Sequence, residues 1–528
     1  MRHLRPRIFA VALFFTLTPA ALRAATPPDS PSDQLGKVNF PTSCSADVQP
    51  TIEKAVALLH SFQYQQSEQT FSEAATRDPK CAMAHWGKAM ALYHQLWDFP
   101  QDNTLKEGRN DLKQAQKLHH ASPREQGFLD AAAAFFQKKS KLSHADRTKA
   151  YSSALEKFSK DNPGDSEIGS FYALSLVSLA EEDVDPTANR EKAIAILNPL
   201  LQKFPDHPGV AHYLIHATDR PELAAQGLEA ARRYAAIAPD SSHAIHMPSH
   251  IFVRLGLWQE SIASNIAAKA AGAHAAEMHT AEYHYQTHAM DFLNYSYLQS
   301  GQEAKAREVI TDEQNVVGSD EESKAEHAAD LTARTALELH RWQDAAALPI
   351  PKVKLISQEF TYRARVIGKA HLGDVAGARA DLEKLKEIWA AEDADSRKQG
   401  YPVETHFSSA EAWILFAEGK RDDAVKEMRA VADRQDKNGV DSLSMSAREV
   451  LGDMLFELKR PADALAEYKV ALKNSPNRFD SLYGAMRAAK DSGDASGAQS
   501  YYAKLSEICP PGADRPELAE AKTFLAQK

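Results

Sequence analysis

"YQQSEQTFSEAATRDP", residues 64 to 79, decides the fold. Tyr64, Ser67, Phe71 and Ala74 recur at helical spacing and lie along one helix face, and Pro79 stops the helix. The arrangement returns at Ala193, Leu197, Leu200 and Pro205, then at Gly227, Ala231, Tyr234 and Pro239. It returns again in "ADALAEYKVALKNSP" as Ala464, Tyr468, Ala471 and Pro476. Small residues on that face let a partner helix approach closely, and the prolines mark a period of about 34 residues.

This pattern resembles the tetratricopeptide-repeat superfamily over most of residues 45 to 507. The resemblance implies an all-α fold, an α-solenoid of tetratricopeptide-like helix pairs forming a right-handed superhelix. It further implies that the first helix of each pair lines a concave groove that binds a protein or peptide partner. Composition agrees with an all-α array. The chain has 528 residues, more than one hydrophobic core usually serves, with 43% hydrophobic residues and Gly and Pro confined to short breaks.

Three interruptions organise the array. "TDEQNVVGSDEESKAE" (311 to 326), "LPIPKVKLISQ" (348 to 358) and "AEDADSRKQGYPVET" (391 to 405) read as loops. The first, an acidic loop, divides N-terminal repeats over 41 to 310 from C-terminal repeats over 327 to 510, with a tail over 511 to 528. Residues 25 to 40, rich in Pro and Ser, read as a flexible leading segment.

Residues 1 to 24 carry a basic head (Arg2, Arg5, Arg7), an apolar run from Ile8 to Leu17 and then small residues. They read as a secretory signal peptide, too short in its apolar run to span a bilayer. The mature chain is therefore expected to be exported, periplasmic or secreted, without a transmembrane segment. Losing four arginines and no acid moves the formal charge from -10 to about -14, which disfavours nucleic acid as a partner. Of three cysteines, Cys44 and Cys81 stand 37 residues apart, close to one repeat, and invite a disulfide in an exported protein. Two buried thiols are the other reading.

The histidines form a ladder. Seven and eleven residues after Pro205 come His212 and His216, and at the same distances after Pro239 come His246 and His250. Each pair has i,i+4 spacing, which puts both imidazoles on one helix face, compatible with one metal ion. His243 extends the second row by one turn. Matching "LGLWQES" (255 to 261) to "SGQEAKA" (300 to 306) and "LHRWQDA" (339 to 345) carries His243, His246 and His250 to His288, Asp291 and Tyr295, then to His327, Asp330 and Arg334. His284 adds a further i,i+4 partner to His288.

Candidate ligands are therefore His212, His216, His243, His246, His250, His284 and His288. Asp219, Asp291, Tyr295, His327, Asp330 and Arg254 are expected to orient them or to bind a partner. Imidazoles and carboxylates without cysteine suit Zn, Cu, Fe or Mn. Recognition of a polar partner segment, assisted by Arg254, Arg334 and Arg363, and plain helix packing are the competing readings. Pro248 leaves two geometries open. Either a helix from Ser242 bends at the proline, or the helix starts at Met247 or Pro248 with His243 and His246 in extended chain.

"AHWGKAMALYHQLW" (84 to 97) reads as core, with His94 and Trp97 as possible groove residues. No GxSxG, HExxH, CxxCH or phosphate-binding glycine loop occurs. "AHYLIHATDRPE" and "HAIHMPSHIFVRLGLW" resemble a signature of little-characterised exported bacterial tetratricopeptide proteins, a resemblance that implies no reaction. The expected function is a protein-binding repeat scaffold with a transition-metal site on the concave face. A metal-dependent hydrolytic or redox enzyme and a metal-free interaction scaffold are the alternatives.

Overall fold

The computed structural model describes residues 34 to 118, 121 to 138, 142 to 182, 184 to 278, 283 to 399, 409 to 438, 443 and 445 to 526. The expected signal peptide, the start of the leading segment and residues 400 to 405 of the third interruption lie outside the described residues. Among the described residues every regular element is helical.

The helices stack as antiparallel pairs, beginning with Gln49–His60 and Tyr64–Arg77 and ending with Phe479–Asp491 and Ala495–Ile508. Each helix packs on its neighbours in sequence, and first helices of successive pairs touch, as Ser166–Glu181 touches Pro208–Thr218. The face carrying Phe71 shows why small residues recur. A Cβ on Gly87 would lie 2.2 Å from the Phe71 ring, so that position must stay bare for the helices to meet.

The turn inside a pair has its own rule. Two residues after the first helix, the backbone turns left-handed, and glycine holds the place at Gly256, Gly301, Gly373, Gly419 and Gly493. Phe62 (φ 55°), His340 (φ 51°) and Lys459 (φ 60°) occupy the same place with side chains.

One buried core runs from Phe40 to Phe252 and another from Ala333 to Ala521, with a smaller cluster from Ile262 to Leu339 between them. The array also folds back on itself. Gln49–His60 packs on Pro208–Thr218, and the Tyr285 hydroxyl donates to the Phe62 carbonyl at 3.0 Å. Further along, Trp258 Nε1 donates to the Asn477 carbonyl at 2.9 Å, and buried Arg478 bridges Glu338, Glu449 and the Tyr295 hydroxyl.

Four boundaries differ from the sequence reading. Residues 35 to 40 are packed rather than flexible, because Leu35 and Phe40 are buried and Phe40 stacks on Trp86 at 5.2 Å. The acidic loop is shorter than 311 to 326, since helix resumes at Glu321 under an Asp320 cap. Helix Val375–Gln399 takes in residues 391 to 399, which read as a loop. The tail contains helix Pro516–Ala526, held by Arg515 on Asp480 at 2.8 Å.

Cys44 and Cys81 are joined by a disulfide, and Cys509 is a free thiol. Among the described residues no helix is long and apolar enough to cross a membrane.

Candidate metal centre

Helix Pro208–Thr218 starts at a proline, where a missing N–H costs nothing, and presents His212 and His216 one turn apart. The first helix of the next pair is broken. Ser242–His246 and Pro248–Arg254 meet at Met247, because Pro248 has no N–H to give the Ala244 carbonyl. Of the two geometries left open by the sequence, the chain takes the helix from Ser242 with a break at the proline. Within the first segment His243 faces back to the preceding repeat and His246 faces onward, where His250 of the second segment joins it.

The imidazoles gather in two triads. In the first, His212 Nε2 lies 3.1 Å from His216 Nε2 and 3.1 Å from His243 Nε2. In the second, His246 Nε2 lies 3.1 Å from His250 Nε2, and ligand atoms of these two and His288 fall within 4.8 Å of one another. Both follow one construction: two histidines at i,i+4 from one repeat and a third from the repeat after it. The triads adjoin, with ring centroids 6.4 Å apart for His216 and His250 and 6.5 Å apart for His243 and His246.

Hydrogen bonds behind the rings assign their protons. His212 Nδ1 donates to the His60 carbonyl at 2.6 Å. His246 Nδ1 meets Asn265 Oδ1 at 2.7 Å, and that oxygen can only accept. The Asn265 amide is oriented by its Nδ2, which donates to the Ser261 carbonyl. His250 Nδ1 donates to Asp219 Oδ2 at 2.9 Å, and Arg254 holds the other carboxylate oxygen at 2.8 Å. A neutral imidazole has one N–H, so with Nδ1 donating to Asn265 the Nε2 of His246 carries a lone pair, 3.1 Å from His250 Nε2.

Burial, and next the charge of His288, hold His246 well below the ordinary imidazole range. Burial likewise lowers His212, His216 and His243, each reinforced by a neighbouring histidine. His288 is exposed where it opens on the cavity described below. Asp219 stays ionised because Arg254 and His250 outweigh its burial.

A third group of donors, His60, Glu167 and His207, is fully matched without an ion. His207 Nδ1 accepts the Val210 N–H, so its Nε2 donates to Glu167 at 2.9 Å, and His60 reaches the other Glu167 oxygen at 2.8 Å. This clamp fixes the His60 carbonyl under His212. Gly209 allows it, since a Cβ there would lie 2.3 Å from His60 Nδ1.

Six of the seven expected histidines therefore converge. His284 stands apart, exposed at the cavity mouth with its ring 4.1 Å from that of Tyr285. Asp219 and Arg254 stand behind His250. Tyr295 turns instead to Arg478 in the second core. One rung further, the same construction would join Asp291 and Tyr295 to His327. Asp291 does lie 3.4 Å from His327, but Arg334 pairs with Asp291 at 2.7 Å. Burial opposes a charge on His327, yet Asp291 and Glu313 raise it to about 10. Burial, and next the Asp291 charge, push Asp330 up to about 7.

Sequence reasoning missed the supports: Asn265, the His60 carbonyl and Phe62. The Phe62 ring lies 4.4 Å from His212, 5.5 Å from His216 and 5.7 Å from His243, so a strained turn position furnishes the floor of the first triad. Its place in "HSFQY", where other repeats have glycine, was the available signal.

Both triads open on one cavity of about 480 Å³, lined by Trp97, His216, His243, Met247, His250, His284, Tyr285, Thr287, His288 and Asp291. That volume is in the range of small-molecule sites.

Residues 52 to 95 and 409 to 479 match the tetratricopeptide repeat family. Among solved structures, a monomeric mutant of IFIT1 with Gppp-AAAA is similar at 13% identity, over 86% of this chain and 95% of that one, with a TM-score of 0.35. The human IFIT1 dimer with m7Gppp-AAAA is similar at 13% identity, over 85% and 94%, with a TM-score of 0.36. The P58(IPK) TPR domain is similar at 14% identity, over 91% and 99%, with a TM-score of 0.20. No curated protein matches the chain.

Proposed function

The chain is a tetratricopeptide-repeat protein, and on that frame, of a kind that serves protein interaction, we propose that each histidine triad holds one transition-metal ion. The protein is then a metalloprotein whose two ions meet a small molecule in the shared cavity. The observation that carries this reading is the convergence of three imidazoles in each triad, with His246 Nε2 and His250 Nε2 3.1 Å apart. A metal ion seated among them would take up the lone pairs that the rings turn toward one another.

The donor set narrows the expected metals. Each triad is all imidazole, with carboxylate only behind the ligands, which favours Cu or Zn over Mn or the Fe site of two histidines and a carboxylate. Three protein ligands leave a coordination position open for chemistry. The cavity volume favours a small molecule over an extended peptide at this place on the concave face. A protein partner belongs to other stretches of the scaffold, and the acidic charge disfavours nucleic acid. The basic head and apolar run of residues 1 to 24 support export to the periplasm or medium, and the Cys44–Cys81 disulfide suits an oxidising compartment.

Elemental analysis of the purified protein beside a His246→Ala, His250→Ala double variant tests the reading. Two ions per chain in the parent and one in the variant are expected. Equal, substoichiometric metal in both would overturn it.

A further inference from the structure

The two triads have a common opening and a particular wall, and both bear on what enters. Trp97 is 42% exposed, whereas Trp86, Trp258 and Trp413 are buried. Its ring centroid lies 6.1 Å from those of both His216 and His243. Tyr285 flanks His243 from another side at 5.9 Å, its hydroxyl already given to the Phe62 carbonyl. An indole left open beside metal-binding imidazoles is a platform for a flat ring. A second cavity of about 250 Å³ shares Trp97, His284 and Tyr285 with the first and extends the aromatic wall outward.

Charge narrows the choice further. Among the described residues no lysine or arginine lines the cavity, and its one carboxylate, Asp291, is paired with Arg334, so a neutral aromatic ring meets no unmatched side-chain charge there.

The ligands decide the redox character. Neutral imidazoles bind copper most strongly among the divalent first-row ions, and copper passes one electron at a time. Two such ions in adjoining triads can accept two electrons together, the number released when an aromatic ortho-diol becomes a quinone.

Resting on the metal reading above, we infer that the triads form one dinuclear copper centre that oxidises aromatic ortho-diols with dioxygen. Each diol breaks two O–H bonds, giving two electrons to the copper pair and two protons to solvent, and leaves as the ortho-quinone. Two diols supply the four electrons and four protons that break the bond of one dioxygen and form two waters. The diol ring stacks on Trp97 with its oxygens toward His216, His243, His250 and His288.

The test uses the full chain loaded with copper and 4-methylcatechol as probe, followed by quinone absorbance and an oxygen electrode. Two coppers per chain, one dioxygen consumed per two quinones formed and no accumulating peroxide are expected. Trp97→Ala should keep both coppers and raise KM roughly tenfold with kcat little changed. A His212→Ala, His216→Ala variant should keep one copper and lose oxidation. Two bound coppers without diol-dependent oxygen uptake, peroxide formed one for one with quinone, or an unchanged KM in Trp97→Ala would each overturn this inference and leave the metal reading standing. Absence of stoichiometric metal in the parent would overturn both.

Discussion

His250 Nδ1 and Asp219 Oδ2 lie 2.9 Å apart, and this bond turns the Nε2 side of the His250 ring toward His246. An uncharged amide at position 219 holds the ring less firmly and makes Nε2 less basic. Asp219→Asn should therefore weaken the metal at the second triad by about 10- to 100-fold while sparing the first. Competition with a coloured chelator reads both affinities, and an unchanged second affinity would count against the role given to Asp219.

Acid should unfold the metal-free protein early. Burial holds His212, His216, His243 and His246 below the ordinary value of 6.5, so the unfolded chain takes up protons that the folded chain refuses. Their contribution is complete above about pH 6.5 and falls as pH drops below it, by up to about 1.4 kcal/mol per pH unit for each ring. His327, raised to about 10, acts in the opposite direction: its contribution is full below about 6.5 and is lost as pH rises through about 10. Urea unfolding at several pH values should show maximal apo stability near neutrality, and bound metal should flatten the acid limb. A flat acid limb without metal would contradict the buried neutral rings.

Thiol chemistry gives a simpler check. Labelling of the unreduced, denatured protein should find one thiol, Cys509, and three after reduction. Replacing Cys81 by Ser opens a loop of 37 residues and should cost about 3 to 4 kcal/mol by loop entropy. Thermal or urea denaturation measures it, and an unchanged midpoint would show the bridge to be idle.

Phe62 and Lys459 share the left-handed turn position but should respond in opposite ways. Exposed Lys459 only suffers the backbone, so Lys459→Gly should stabilise by about 0.5 to 1 kcal/mol. Phe62 is buried against three histidines, so Phe62→Ala should cost about 3 kcal/mol and weaken metal at the first triad more than at the second. Denaturation and chelator competition check the two together.

The repeat was legible because it is local: Phe71, Ala74 and Pro79 announce a helix and its end within sixteen residues. The ladder was legible for the same reason, since His212 and His246 keep a fixed distance from a proline. The grouping was not. His243 looked like an extension of His246 and His250, but three residues before His246 in the same short helix it turns to the preceding repeat, 3.1 Å from His212. Asn265 and the His60 carbonyl reach their rings across the fold, the latter over 152 residues, and no spacing encodes such a meeting. Leu35 and Phe40 were misread because polar neighbours masked two apolar anchors.

The pairing of Arg334 with Asp291 has a consequence for how long the histidine series can run. Each rung borrows its third ligand from the repeat that follows, so nothing in the stacking itself sets an end to it. At the third rung a guanidinium and a protonated His327 already supply positive charge covalently, and they occupy the Asp291 and Glu313 carboxylates that a dissolved cation would otherwise find there. Arg334 thus acts as a full stop written into the helix, ending the row of imidazole triads at two however many repeats lie beyond it.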